Sequence, residues 1–283
     1  MRHLLLSLVA ASAFAVEPAV FCRFVPERSD DFAWENDRIA FRAYGPALRG
    51  KVEDSGIDVW LKRVDYPIID RWYAGHLAGK SYHQDRGEGY DPYHTGASRG
   101  TGGTGLWQDG RLVTAGPFIA WTIAERTPDR AVFTLSYLYP TTAGQPALQE
   151  AKTITIQRGE DWFTSVSTFT REGRPVADLE VAAGVTTHDG RGTATLDPQG
   201  RWLSVWEVID GQGLGTGIAL PATAKLQEIR EPQRKDASHA LAILRTDAAG
   251  QVRFRAGYGW AKAGRIATPE AWQAVLANAS QGF

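Results

Sequence analysis

The feature that most constrains the fold is a long series of short segments in which apolar and polar residues alternate. Roughly thirteen of them follow one another, separated by Gly, Pro and Asp. They cover residues 38–44, 57–64, 118–125, 131–139, 151–157, 162–170, 178–187, 193–197, 201–209, 215–220, 224–231, 239–246 and 251–260. Alternation with a period of two is typical of strands that bury one face. The sequence therefore predicts an all-β fold, a large antiparallel β-sandwich.

The turns between these segments support hairpins rather than helical crossovers. Asp109-Gly110 and Asp197-Pro198 place residues with special backbone angles between consecutive strands. One short C-terminal helix is predicted over 268–279, with Thr268 as its N-cap and Pro269 in its first turn. No linker or internal repeat divides the chain, so we expect a single β-sandwich domain over 16–283.

The first fifteen residues predict export. MRHLLLSLVAASAFA has basic residues, an apolar run and the small pair Ala13 and Ala15, which is typical of a cleaved signal peptide over 1–15. We therefore expect a periplasmic or secreted protein. No later apolar run is long enough for a membrane span. The only cysteine, Cys22, cannot form a disulfide within its own chain.

Composition excludes one large class of partners. Apolar residues make up 43% of the chain and charged residues 22%, as in ordinary soluble globules, and the formal net charge is −1. Nucleic-acid recognition normally shows as a clustered basic face, so we expect no nucleic-acid partner.

The segment 71–107 is unlike the rest of the chain. It holds three of the six histidines, four tyrosines and nine glycines, and it lacks a regular apolar period. Proton donors and acceptors on a glycine-rich backbone are typical of a ligand site rather than of a core. We expect this segment to fold over a concave sheet and to turn its imidazoles and phenols inward together.

Acid–base chemistry on a uronic acid is the hypothesis that uses most of these groups. Removing the proton beside a carboxylate needs a base, an acid for the leaving oxygen and a cation for the developing charge. We predict as catalytic residues His83, His94, Tyr82 and Tyr93. We predict as substrate-binding residues Arg99, Arg86, Tyr90, Asp91, His188, Trp260 and Lys262.

The same segment contains residues that suggest two other kinds of site, a dinucleotide site and a metal site. Residues 100–105 satisfy the pattern G-x-G-x-x-G, but a strand and hairpin follow where a dinucleotide site needs a helix. His76, Asp85 and Glu88 are candidate metal ligands whose spacing matches no common motif. No cofactor is expected, and a divalent metal is possible.

The chain resembles the DUF4861 family of exported bacterial proteins. The resemblance is carried by KSYHQDRGEGYDPYHTGASRGTGGTGLW (80–107), VTAGPFIAWTIAE (113–125) and AGYGWAKAG (256–264). It implies a galactose-mutarotase-like supersandwich similar to polysaccharide lyases. It also implies an oligosaccharide or polysaccharide substrate, in particular one that contains uronic acid, and a lyase or dehydratase activity.

Two alternatives to an eliminating enzyme remain open. A non-catalytic glycan-binding module would use the aromatic residues to stack on sugars and the histidines only as hydrogen-bonding groups. A sugar-ring isomerase of mutarotase type would need one acid and one base but no cation for a carboxylate.

Overall fold

A computed structural model describes residues 19–140 and 146–283. The predicted signal peptide over 1–15 lies outside the described residues. In chain order the strands are β1 (Phe21–Val25), β2 (Asp31–Glu35), β3 (Ala40–Ala43), β4 (Ile57–Lys62), β5 (Gly89–Tyr90), β6 (Thr101–Gln108), β7 (Arg111–Val113), β8 (Ala120–Arg126), β9 (Arg130–Leu138), β10 (Leu148–Gln157), β11 (Trp162–Arg171), β12 (Arg174–Pro175), β13 (Glu180–Thr186), β14 (Thr193–Asp197), β15 (Trp202–Ile209), β16 (Gln212–Ala219), β17 (Lys225–Ile229), β18 (His239–Arg245) and β19 (Gln251–Trp260). The two α-helices are α1 (Ile69–Leu77) and α2 (Pro269–Gln281), and short 3-10 turns occur at Pro46–Leu48 and Ala261–Ala263.

The strands form three antiparallel sheets. The N-terminal sheet has the order β1-β2-β3-β4-β5, and a second five-stranded sheet has the order β17-β18-β13-β6-β7. A nine-stranded sheet has the order β14-β15-β16-β19-β11-β10-β9-β8, with β12 added beside β11. The prediction of an all-β, antiparallel sandwich is confirmed. Neither helix of the described ranges is long and apolar enough to cross a membrane.

One face of the nine-stranded sheet forms the main core with both smaller sheets. Trp34 of the N-terminal sheet packs against Phe133 and Phe163 of the large sheet, with ring centroids 5.3 and 5.6 Å apart. Val185 of the second small sheet is buried in the same cluster. Strands β9, β10 and β11 bury every second residue, as the period of two in their sequence predicts.

The C-terminal helix α2 packs on β15 and β16. Its N-cap is Thr268, whose hydroxyl accepts a hydrogen bond from the Ala271 amide at 3.2 Å, as predicted. Trp272 and Leu276 are buried on this face. A Cβ on Gly215 would lie 2.5 Å from the Trp272 ring, so the absence of a side chain there allows the close approach.

Helix α1 corrects the interpretation of 71–107 as a segment without an apolar period. Its buried residues Ile69, Trp72 and Tyr73 have helical spacing, and they pack on Trp60. The helix begins without a local cap. Instead the buried carboxylate of Glu35 accepts hydrogen bonds from the Ile68 and Ile69 amides at 2.9 Å, a contact that no local sequence pattern reports.

The other end of that segment also belongs to the core architecture. The G-x-G-x-x-G residues form the start of β6, which continues through a turn into β7. A Cβ on Gly102 would lie 2.6 Å from the Ala256 side chain, so this glycine permits sheet packing. The pattern serves packing rather than a phosphate.

Candidate functional site

The principal cavity formed by the predicted residues lies where β5, β13 and β15 end. It has a volume of about 560 Å³, and we call it the His188 cavity. Its lining residues are His83, Tyr90, Asp91, Pro92, His94, His188, Arg191, Glu207, Val208, Ile209 and Asp210. Five of the eleven predicted site residues therefore meet here, although 105 residues of chain separate the first from the last.

His188 is held rigidly at the back of this cavity. Its backbone adopts a left-handed conformation with φ of 44°, which is uncommon for a residue other than glycine. Ring atom Nδ1 lies 2.8 Å from a Glu207 carboxylate oxygen, and Nε2 lies 2.8 Å from the His94 carbonyl oxygen. Because a carbonyl only accepts, Nε2 carries a proton, and Nδ1 faces the Glu207 carboxylate. This imidazole is a fixed structural group with no ring nitrogen left to accept a proton from a ligand.

His83 has the opposite arrangement. Its side chain is 52% exposed, and its Nδ1 donates to the Asp91 carbonyl oxygen at 2.8 Å. That hydrogen bond fixes the tautomer of the neutral ring, so the unprotonated nitrogen is Nε2. His94 also lines the cavity and is exposed. The two residues predicted from sequence as histidine acid–base groups therefore share one cavity.

Two acids, Asp210 and Asp91, lie near Tyr90 and have different surroundings. The Tyr90 hydroxyl donates to Asp210 at 2.6 Å, and burial together with this bond raises the pKa of the tyrosine. The Asp91 carboxyl is buried, 3.5 Å from His83 Nδ1 and 3.7 Å from the Arg42 guanidinium. Burial raises the pKa of Asp91 well above its usual range, and the neighbouring Asp58 adds to this effect.

The structure does not bring the predicted tyrosines Tyr82 and Tyr93 into the cavity. Tyr82 packs on Trp60, and its hydroxyl accepts hydrogen bonds from Arg28 and Arg42. Tyr93 is buried behind His188, with its hydroxyl 2.9 Å from that of Thr101. Burial raises the pKa of Tyr93 well above its usual range. Both rings are core residues, which the sequence could not distinguish from cavity-lining ones.

Four predicted substrate-binding residues also lie elsewhere. Arg99 lines a separate cavity, and Arg86 lines a third, smaller one beside Trp72 and Tyr82. Trp260 is buried beneath Tyr90, with centroids 5.9 Å apart. Lys262 forms an ion pair with Asp85 at 2.7 Å.

The three candidate metal ligands have separate structural partners. Asp85 accepts from Lys262, Arg63 and the Gly87 amide, which lower its pKa to about 2 against the opposing effect of burial. Glu88 accepts from Tyr66, Arg71 and Trp72, and His76 stacks on Tyr82. Within residues 19–140 and 146–283, no group of three or more potential ligands is placed to hold a metal ion.

Sequence reasoning missed three charged residues of the His188 cavity. Glu207 lies near the end of an alternating strand, Asp210 in the following turn and Arg191 after a turn. Arg191 is exposed at the rim and donates to the His188 carbonyl oxygen at 3.0 Å. Only the position of Glu207, a charged residue between Trp206 and Val208 in a largely apolar strand, gave a signal that could have identified it.

A family-level comparison matches residues 11–283 to DUF4861, a domain of unknown function. The chain belongs to this DUF4861 family. A relative, the uncharacterised protein P7 of Formosa agariphila, is 35% identical over 280 residues, which cover 94% of this chain and 69% of that protein. The family resemblance predicted from the sequence is confirmed.

Solved structures of two carbohydrate-active enzymes align with most of this chain at low identity. A mutant of the heparan sulfate lyase HepC from Pedobacter heparinus aligns with a TM-score of 0.40 and 10% identity, over 86% of this chain and 35% of that one. The α-galactosidase AgaB from Geobacillus stearothermophilus aligns with a TM-score of 0.43 and 8% identity, over 85% and 41%. At this level neither likeness extends to an activity.

Proposed function

We propose that this DUF4861 protein is an exported carbohydrate-active enzyme that eliminates across a carbon–oxygen bond of uronate-containing oligosaccharides. The observation that carries the proposal is the pairing of His83 and His94 in one cavity, with His83 fixed by the Asp91 carbonyl so that its Nε2 is the proton-accepting atom. A cavity of about 560 Å³ is large enough for a sugar residue.

Each step of the elimination has a group in this cavity. His83 Nε2 takes the proton from the carbon beside the uronate carboxylate. The bond from the next ring carbon to its oxygen breaks, and a carbon–carbon double bond forms between the two carbons. The leaving oxygen takes a proton from His94, so no oxidant or reductant is needed. The leaving group is water in a dehydratase and a sugar hydroxyl in a lyase.

The negative charge that builds on the carboxylate needs a cation, and Arg191 takes the role predicted for Arg99. Its side chain is 67% exposed at the cavity rim and is anchored through the His188 carbonyl. Its other close partner is Asp236 at 3.7 Å, so the guanidinium retains donors for a ligand. His188 and Glu207 form a fixed wall that positions both Arg191 and His94.

The experiment is to incubate the pure protein with a panel of uronate-containing oligosaccharides. Elimination creates a double bond conjugated to the carboxylate, which absorbs in the ultraviolet, and dehydration also removes the mass of water. His83→Gln should abolish the product. His76→Gln, a substitution in the same segment but outside the cavity, should not. Silence across the panel, or full activity of His83→Gln, would refute the proposal.

A second function, glycan binding without turnover, is favoured by one observation. The Tyr90 hydroxyl is bound to Asp210 and both His188 nitrogens are bound, so among the described residues that line the cavity His94 alone is left as the proton donor for this mechanism. Binding of an oligosaccharide that survives His83→Ala and His94→Ala, with no product from the unmodified protein, would support this function instead.

A further inference from the structure

We propose that the cavity around Arg99 is a second ligand site, which binds the carboxylate or sulfate group of an acidic sugar. This Arg99 cavity has a volume of about 510 Å³ and is distinct from the His188 cavity. The segment from His94 to Arg99 runs from one cavity to the other. The evidence for an oxyanion site comes from the geometry of this cavity alone. The inference that the anionic group belongs to a sugar rests on the proposed function.

The first observation is a buried guanidinium whose hydrogen-bond partners are neutral. Arg99 is 2% exposed, and it donates to the Thr104 carbonyl at 3.2 Å and to the Ser55 hydroxyl at 2.9 Å. Its Nε is buried, and no residue within 19–140 or 146–283 forms a hydrogen bond to it. Burial lowers the pKa of Arg99 to about 10, which still leaves the group charged at neutral pH. A buried charge that is not offset by a bonded carboxylate favours an anionic ligand.

Two acids, Asp54 and Glu150, act electrostatically on Arg99, and the hydrogen bonds that each accepts come from other residues, the Gly50 amide in the case of Asp54. The Glu150 carboxylate accepts hydrogen bonds from Thr104, Tyr139 and Ser167 at 2.6 to 2.9 Å, and Lys152 lies 3.5 Å from it. The charge of Glu150 is therefore matched by Lys152, and Arg99 keeps a guanidinium that donates only to neutral oxygens. A bound oxyanion would complete the set of hydrogen bonds that the guanidinium can make.

The other residues that line the Arg99 cavity also favour an anionic ligand. Four of its lining residues are basic and two are acidic. The other basic side chains, Lys51, Arg111 and Arg234, are exposed at the rim. His239 lines the cavity with a buried Nδ1 that has no partner in the part of the chain that the structure describes, so a ligand oxygen could accept a hydrogen bond from this nitrogen.

A sugar ring suits the apolar part of this cavity. Trp107 and Leu112 line it from the β6–β7 hairpin, and Trp107 is half-buried. An indole beside several cations is the combination that recognises a pyranose ring bearing an anionic group, because the ring stacks on the indole while the anion binds the cations.

The backbone of β13 leaves space for the Arg99 side chain. A Cβ on Gly184 of β13 would lie 2.7 Å from Arg99 Cγ and 2.7 Å from Leu241 Cδ2. The missing side chain lets the aliphatic part of Arg99 cross the outer face of the sheet. Because this close packing also involves the fold, Arg99 itself is a poor first target for substitution.

The test uses inorganic sulfate and glucuronate as probes at constant ionic strength. Calorimetric titration of the whole protein should show that both bind. The double variant Arg111→Gln/Arg234→Gln should weaken both by about tenfold, as expected when charged partners of an anion are removed. The matched control Arg174→Gln removes an exposed arginine outside the cavity and should leave both affinities within about twofold. Crystals soaked in selenate should show anomalous density beside Arg99.

The outcomes separate this inference from the proposed function. Two results together would overturn the site. One is selenate density only at scattered surface lysines, which would mean an adventitious ion only, and the other is an unchanged sulfate affinity in the double variant. Sulfate binding without glucuronate binding would overturn the sugar as carrier. If the protein binds sulfate at Arg99 but turns over no uronate, the anion site is confirmed and only the proposed enzymatic activity is refuted.

Discussion

The His188 cavity and the Arg99 cavity both combine histidine with arginine, but they arrange them in opposite ways. In the first, arginine is exposed at the rim, and the exposed His83 has its tautomer fixed by a backbone carbonyl. In the second, arginine is buried and His239 is buried beside it without a partner for Nδ1. Burial and the Arg99 charge lower the pKa of His239 to about 3.

This difference shows that residue type alone does not assign acid–base chemistry. An exposed imidazole whose Nδ1 is fixed by a backbone carbonyl leaves its Nε2 open to a ligand, as at His83. The same ring beside a buried cation stays neutral and can only donate or accept a hydrogen bond, as at His239. The two cavities are therefore suited to different tasks, proton transfer in one and anion binding in the other.

The largest expected effect is on turnover in the His188 cavity. His83→Gln should lower kcat by about 10² to 10⁴, the usual contribution of a general base. His239→Gln should change kcat by less than about threefold, because His239 takes no part in proton transfer. Initial rates of double-bond formation measure both. Equal losses from the two substitutions would remove the distinction between the cavities.

The next effect concerns the ion pair that supports the His188 cavity. Glu207→Ala leaves a buried imidazole without its carboxylate and should lower the free energy of unfolding by about 3 to 5 kcal/mol. Glu207→Gln should cost less, because an amide can still donate to Nδ1 of a neutral ring. Denaturant unfolding of both variants tests this. An unchanged free energy of unfolding in Glu207→Ala would show that the contact between Glu207 and His188 does not stabilise the cavity.

His239, in the Arg99 cavity, should make the free energy of unfolding depend on pH. Unfolded His239 takes up a proton near pH 6.5, but folded His239 does so only near its pKa of about 3. The unfolded chain thus binds more protons between these values, and stability falls as pH drops from 6.5 towards 3, by up to about 1.4 kcal/mol per pH unit. His239→Gln should remove this part of the fall. The difference in unfolding free energy between variant and unmodified protein, measured from pH 7 to 4.5, isolates His239 because the other groups cancel. A difference that does not change with pH would contradict the prediction.

The smallest expected effect comes from Gly184→Ala. The added methyl group would collide with Arg99 and Leu241, so it should cost about 1 to 3 kcal/mol and displace the guanidinium. Sulfate binding should weaken while kcat on a uronate substrate is unchanged. Unfolding, titration and rate measurements on one preparation check this. A parallel loss of kcat would show that the cavities act as one site.

Much of the fold could be predicted because strand periodicity is local. The segments 193–197 and 251–260 coincide with β14 and β19, and the α2 cap forms at Thr268 as its sequence pattern indicates. Helix α1 was missed because its N-terminus is satisfied by Glu35, which lies 34 residues from Ile69. A contact across such a separation leaves no pattern in neighbouring residues.

The site was predicted in part for the same reason. His83, Tyr90, Asp91 and His94 lie close in sequence, and the chain keeps them in one cavity. Arg99 is only five residues beyond His94, yet its side chain passes over the outer face of β13 into another cavity because Gly184 leaves room for it. Glu207 and Arg191 joined the site from distant strands and turns.

By itself the sequence determined the antiparallel β architecture, the C-terminal helix and the concentration of imidazoles in one segment, because alternation, capping and composition act between near neighbours. The tertiary structure alone decided which imidazole is exposed, which is bound on both nitrogens and which is buried beside a guanidinium. The protonation of a ring depends on the burial and the charges around it, and those come from strands far apart in the chain.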